Sequence, residues 1–260
     1  MLDARALQVN GRRTDLLPAT SLRVSPGELL LVRGENQDDR TALALTLTGR
    51  MKPSSGHLSW DGSTRLKTIR KASALVDAPG INEPEQHLSV CDLVTEDLAL
   101  IPRRYRGALL AKPWLKLNSF EDVEKLWVDE LPAERRVSLL TQLALADPAV
   151  DLLVLDSPDR HSADPAVWLE RCEQLAYDAG RPLAVVAVVA TLPDGWEGPS
   201  AVIGNSVPHA ELPPGAEEDA EEAVAAEAAH VSDAASGETP PAEKNSSEKN
   251  SADENVEEAK

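Results

Sequence analysis

GELLLVRGENQDDRTALALTLTGRMKPSSGHLSWDG, residues 27–62, is the stretch that decides the fold. Glu28 to Arg33 is short, mostly apolar and runs into Gly34, which is how a buried strand enters a loop. Thr41 to Gly49 is built from good helix formers, with Leu43, Leu45 and Leu47 among alanines, and Gly49 supplies a stop. Pro53-Ser54-Ser55-Gly56 reads as a turn. His57 to Gly62 reads as a strand closing on the Asp61-Gly62 turn signal.

Outward from this stretch the same alternation continues. Upstream, residues 1–33 read as strands, with Leu22 and Val24 apolar and Pro26-Gly27 turning the chain. Downstream, Ala74 to Asp77 is a short strand before the breaker pair Pro79-Gly80. Residues 90 to about 145 read as a helical lobe. Leu139, Leu140, Leu143 and Ala144 recur at helical spacing there, as do Val123, Leu126 and Trp127. Asp151 to Asp156 and Leu183 to Ala190 are continuous apolar strands, and Trp168 to Ala179 is an amphipathic helix before Gly180. Strands apolar along their whole length alternate with helices, which predicts an α/β fold with a mainly parallel sheet and N-terminal antiparallel strands.

Strand, loop and helix in this order resemble the nucleotide-binding cassette of ABC transporters. That family places a GxxGxGK[ST] loop after the strand and a Pro-x-x-Gly turn after the helix, and it ends the next strand in Asp-Gly. Gly34, Asn36 and Thr41 match the loop, whereas Gln37, Asp39 and Arg40 stand where the family has Gly, Gly and Lys. The resemblance implies a P-loop-type sheet over residues 1–210 with the lobe at about 90–145, and ATP and Mg²⁺ as ligands. Gly34, Asn36, Gln37, Asp38, Asp39, Arg40 and Thr41 would then surround phosphate, with Thr41 and Asp156 on the metal.

The substitutions bear directly on that chemistry. A P-loop holds phosphate because glycines let successive backbone N–H groups turn inward at a helix N-terminus. At a glycine position requiring positive φ, Gln37 or Asp39 would each cost on the order of 1–3 kcal/mol. Glu35, Asp38 and Asp39 set three carboxylates against the one cation Arg40, whose forked guanidinium is not equivalent to a lysine. A second reading needs no ligand: the loop caps its own helix, where acids are favourable.

Other positions of the resemblance follow the same pattern. Leu152-Leu-Val-Leu-Asp-Ser-Pro-Asp159 is similar to the family's Walker B strand, with Ser157 in place of the Glu that positions water. Losing a general base typically removes about 10²–10⁴ in rate. Leu192 stands where the family has a switch His, and Asp77 or a neighbour stands at the Gln of the Q-loop. Asp164 matches the D-loop with one extra residue before it. Leu131-Pro-Ala-Glu-Arg-Arg-Val137 occupies the signature segment without its Ser-Gly-Gly, and Pro132 starts a helix there. Residues 8–17 hold no aromatic to stack on adenine.

Composition bounds the rest. Cys91 and Cys172 fit reduced thiols rather than a disulfide framework, and His57, His87, His161 and His209 show no ligand spacing. Met1 to Gly11 lacks the pattern of a signal peptide, and no apolar run is long enough to cross a bilayer, so a cytoplasmic location is expected. Of the net charge of -18, residues 211–260 carry 15 acidic against 3 basic side chains, or -12, leaving -6 for residues 1–210. A mildly acidic body argues against nucleic acid. The tail is expected to be disordered, with a transient helix over residues 216–229, and serves either as a solvating segment or as a dock for a basic partner. Arg103-Arg-Tyr-Arg106 with Lys112, Trp114 and Lys116 forms a basic stretch in the lobe. It is either a contact for a membrane partner or anionic headgroups, or a solvated helix face.

The expectation is a degenerate cassette subunit beside a separate integral membrane protein, at the inner face of the membrane through that partner, with impaired or absent ATP hydrolysis. Homodimers are the assembly the resemblance implies. A nucleotide-independent adaptor docking on a membrane partner is the alternative. A P-loop kinase or GTPase is the third, although an Asn-Lys-x-Asp segment is missing.

Overall fold

The computed structural model describes residues 1–106 and 110–207. The first half of the chain forms β1 (Leu2–Asn10), β2 (Asp15–Val24), β3 (Glu28–Arg33), α1 (Gln37–Leu47), β4 (Ser55–Trp60), α2 (Leu66–Ala72) and β5 (Ser73–Val76). The lobe follows as α3 (Val90–Leu100), α4 (Arg103–Arg106), α5 (Ala111–Leu117) and α6 (Ala133–Ala144). The chain returns to the sheet as β6 (Leu152–Asp156), α7 (Ala166–Ala176), β7 (Ala184–Val189) and β8 (Ser200–Val202).

Two sheets result. One is antiparallel in the order β2-β1-β4, and the other has the order β5-β6-β7-β3-β8 with every pairing parallel. The central parallel strands are apolar through their middles, at Leu29 to Val32, Leu152 to Leu155 and Ala184 to Val189, because both faces are covered. Period two divides them between two cores. Leu29, Leu31, Leu153, Leu155, Val185 and Ala187 pack with the lobe and α7. Leu30, Val32, Leu152, Val154, Val186 and Val188 pack with α1 and the antiparallel sheet. β3 and β6 are therefore held on both sides, which fixes the loops at their C-terminal ends.

The α/β fold, the parallel sheet and the N-terminal antiparallel strands are as the sequence predicts. Several extents differ. α1 begins at Gln37, four residues before Thr41, because the loop winds into an extra helical turn. Gly49, at φ 66°, closes it as expected. Val123, Leu126 and Trp127 do not share a helix: a single 3-10 turn covers Glu121–Val123, and Trp127 is extended and half exposed. The helix expected to reach Ala179 ends at Ala176. Helix α2, a short basic segment with only Ile69 buried, carries too little periodicity to be read from sequence. The expectations for residues 208–260, including His209 and the helix over 216–229, lie outside the described residues. Among the described residues no helix is long and apolar enough to cross a membrane.

Candidate functional site

The loop between β3 and α1 closes over its own arginine. Arg40 sits in the first turn of α1 and is buried, with 7% of its surface exposed. Its Nη1 donates to the carbonyl oxygens of Gly34 (2.7 Å) and Glu35 (2.9 Å). Nη2 donates to Gln37 Oε1 (2.7 Å), and Nε to Ser157 Oγ (2.9 Å). Gly34 is needed for this packing rather than for its backbone angle, since a Cβ there would lie 2.5 Å from Ile203 Cδ1 and 2.9 Å from Arg40 Cγ. Gln37 and Asp39 avoid the strain expected of them: no residue from Gly34 to Thr41 has positive φ. Asp38 and Asp39 lie in the first turn, where the helix dipole favours them, and Asn36 Nδ2 donates to Asp39 Oδ2 (3.0 Å).

The end of β6 completes a closed network. Asp156 is 1% exposed. Its carboxylate accepts from Thr41 Oγ1 (2.6 Å) and Gln37 Nε2 (3.1 Å). The Ser157 hydroxyl has one proton to share between Asp156 Oδ1 (2.8 Å) and Gln37 Oε1 (3.0 Å). Ser157 is fully buried in a left-handed conformation (φ 54°) and anchored by its N–H to Val188 O (2.8 Å). Thr41 and Asp156 are thus brought together, bonded to each other. The carbonyls of Gly34 and Glu35 face a cation, where phosphate would need N–H donors. In this arrangement the residues do not fit a magnesium nucleotide. Among the described residues no group of His, Cys, Asp and Glu is disposed to hold a metal.

A second buried cluster surrounds Asp77, left-handed at φ 56° and 8% exposed. Arg136 of α6 reaches it with Nε (3.1 Å) and Nη2 (2.9 Å), Arg160 approaches to 2.9 Å, and His161 Nε2 lies 2.8 Å from Oδ2. Glu83 joins through Arg160 (3.1 Å). Burial alone would raise the Asp77 carboxyl. Hydrogen bonds from His161 and Arg136 and the charges of Arg136 and Arg160 outweigh it and hold the group far below the ordinary carboxylate range. In the sequence His161 shows no ligand spacing. Only its closeness to Asp77, 84 positions away in the chain, reveals its partner.

The remaining expected positions are structural in their contacts. Pro132 is the N-cap of α6 as expected, and the two arginines after it turn inward, Arg135 to Ser119 O (2.8 Å) and Arg136 to Asp77. Asp164 Oδ1 accepts from Ala166 N (3.0 Å), at the start of α7. Leu192 is partly buried against the lobe-side core. Trp114 is no surface anchor: it is 4% exposed and lies parallel to Phe120 with centroids 6.1 Å apart.

Between β5 and the lobe runs a groove of about 470 Å³ with Leu75, Leu140 and Leu143 at its floor and Glu83, Glu96 and Asp97 among its lining. Burial, reinforced by Glu96, pushes the Asp97 carboxyl up to about 6. A folded value above the unfolded one means that the contribution to stability is greatest below about pH 4 and is lost as pH rises through 6. Asp97→Asn is expected to stabilise the protein at pH 7 by on the order of 1 kcal/mol after allowance for solvent screening, and to flatten stability between about pH 4 and 6 in urea titrations.

No protein-family model matches the sequence, and no curated protein matches it. Solved structures do match. The cbiO1 protein of Clostridium perfringens, part of the cbiONQ ABC transporter complex, is similar over 73% of this chain and 78% of its own, at 18% identity and a TM-score of 0.54. A putative ABC transporter ATP-binding protein of Pyrococcus furiosus matches over 78% of this chain and 96% of its own, at 15% identity and a TM-score of 0.56. A dimeric bacterial ABC transporter cassette matches over 74% and 88%, at 18% identity and a TM-score of 0.55. Identities this low speak to the fold alone, and together with the sheet order and the position of the loop after β3 they establish that this chain has the fold of an ABC transporter ATP-binding cassette.

Proposed function

We propose that the chain is a degenerate cassette subunit of an ABC-type transport or export system, working beside a separate integral membrane protein without turning over ATP. The observation that carries this reading is the Arg40 guanidinium inside the loop, bonded to two backbone carbonyls and two side chains at 2.7–2.9 Å. Phosphate binding would require displacing a buried cation and rotating those carbonyls outward. The Asp156 carboxylate, bonded to Thr41 and Gln37, would have to exchange both partners for metal-bound water. Ser157 and Leu192 supply neither a carboxylate base nor an imidazole. The resemblance to transporter cassettes supports the membrane partner and, through it, a location at the inner membrane face. With the phosphate contacts of both loop and signature replaced, dimerisation does not depend on nucleotide.

Calorimetry of the full chain with Mg-ATP tests this directly. No binding heat at millimolar nucleotide, and no phosphate release above a protein-free control, are expected. Micromolar binding with turnover abolished by Asp156→Asn would overturn the reading.

A further inference from the structure

We infer that a lobe segment made of residues 100–106 and 110–117, LIPRRYR and LAKPWLKL, contacts an anionic lipid surface. It holds five cations and no anion, in a chain of net charge -18. It also carries apolar side chains turned to solvent: Leu100 is 82% exposed, Leu110 68% and Leu117 77%, with Tyr105 at 38%. Single exposed leucines are unremarkable, but this many within one short segment mark a binding surface.

The geometry of α5 shows how the two features combine. Ala111, Trp114 and Leu115 are buried in the lobe, and Asn118 Nδ2 donates to Trp114 O (2.8 Å), so the helix is fixed by one side. Leu110, extended at the N-cap, and Leu117, the last residue of the helix, are both exposed. Lys112 and Lys116, four apart on the same helix, are exposed as well. Lys112 pairs with Glu124 at 3.0 Å while remaining 72% exposed. The Arg104 guanidinium rests 4.5 Å over the Tyr105 ring, and both residues are exposed. Exposed leucines and exposed cations within one short segment match a bilayer interface, where acyl chains accept the leucines and headgroup phosphates accept the cations. An acidic protein partner would satisfy the cations but leave the leucines without an apolar counterpart. The inference stands on this segment alone and holds whether or not the loop after β3 binds nucleotide.

Co-sedimentation of the full chain with vesicles tests it, comparing phosphatidylcholine alone with phosphatidylcholine containing about one third phosphatidylglycerol. Binding is expected only to the anionic vesicles and is expected to weaken at high salt. Arg104→Gln with Lys116→Gln should weaken it on the order of 25-fold, five-fold for each cation removed. Leu110→Ser with Leu117→Ser should weaken it on anionic vesicles while leaving the salt dependence intact. All four positions are exposed, so the variants should melt at the temperature of the unmodified chain. Failure to bind anionic vesicles, or binding unaffected by both pairs, would overturn the proposal in favour of a protein contact.

Discussion

Arg40→Ala is expected to destabilise the protein by about 2–4 kcal/mol, because it strands buried acceptors rather than merely deleting a contact. The guanidinium bonds the Gly34 and Glu35 carbonyls, Gln37 Oε1 and Ser157 Oγ, and these groups have no other cation within the loop. For a body of about 200 residues the loss corresponds to roughly 5–15 °C in Tm. Guanidinium ions at low millimolar concentration, well below denaturing levels, should refill the vacated space and recover part of the loss, a rescue that ATP should not provide. Arg40→Lys should fall between the two proteins, since a single ammonium cannot span the four acceptors. If Arg40→Ala melts unchanged, or if Mg-ATP rather than guanidinium stabilises it, the picture of an arginine serving as the internal ligand of the loop is wrong.

The second large effect is expected at Asp77. Asp77→Asn leaves Arg136, 8% exposed, facing a neutral amide where a bidentate carboxylate stood. Breaking a buried pair from one side costs about 3–5 kcal/mol. The loss should concentrate in the lobe, because Arg136 is the charged tie between α6 and the end of β5. Hydrogen exchange should therefore quicken in α6 before β6 and β7 respond. Replacing Arg136 as well, with Met, should recover part of the stability, which separates a stranded cation from a general packing defect.

The pH dependence of this cluster has the opposite sign to that of Asp97. The Asp77 carboxyl is held below its unfolded value, so its contribution is complete above about pH 4 and fades as pH falls towards the folded value. Asp77→Asn should thus flatten the acid limb of the stability curve. Asp97→Asn acts at higher pH, where the unmodified protein loses stability as pH rises through about 6. A urea series across both windows distinguishes the two carboxylates in one experiment.

Much of the architecture was legible because it depends on local periodicity. β3, β6 and β7 each carry at least four consecutive apolar residues, and such runs require a sheet covered on both faces. The loop after β3 and the strand ending in Asp156 were found from order and spacing, and the structure does bring Thr41 and Asp156 together, at 2.6 Å. What the loop does with its substitutions was less legible. Glycine losses at Gln37 and Asp39 suggested strain, whereas the chain removes the strain by extending α1 to Gln37. The helix over Val123 to Trp127 was wrongly expected because apolar spacing does not reveal that Val128 N–H bonds Leu88 O, which draws that segment out of helical register.

The sequence by itself determined the succession of strands and helices, the two-sided burial of the parallel strands and the positions at which a cassette-type site would lie. These rest on side-chain polarity at fixed spacing, and neighbours in sequence suffice to read them. Only the tertiary structure decided that Arg40 points into its own loop and that Asp77 gathers Arg136, Arg160 and His161. Ser157, which completes the Arg40 set, and the residues gathered by Asp77 lie 59 to 117 residues from the groups they meet. A long charged side chain has several directions open to it, and it is the convergence of β3, β6 and α6 at one end of the sheet that leaves each of these arginines a single set of buried acceptors.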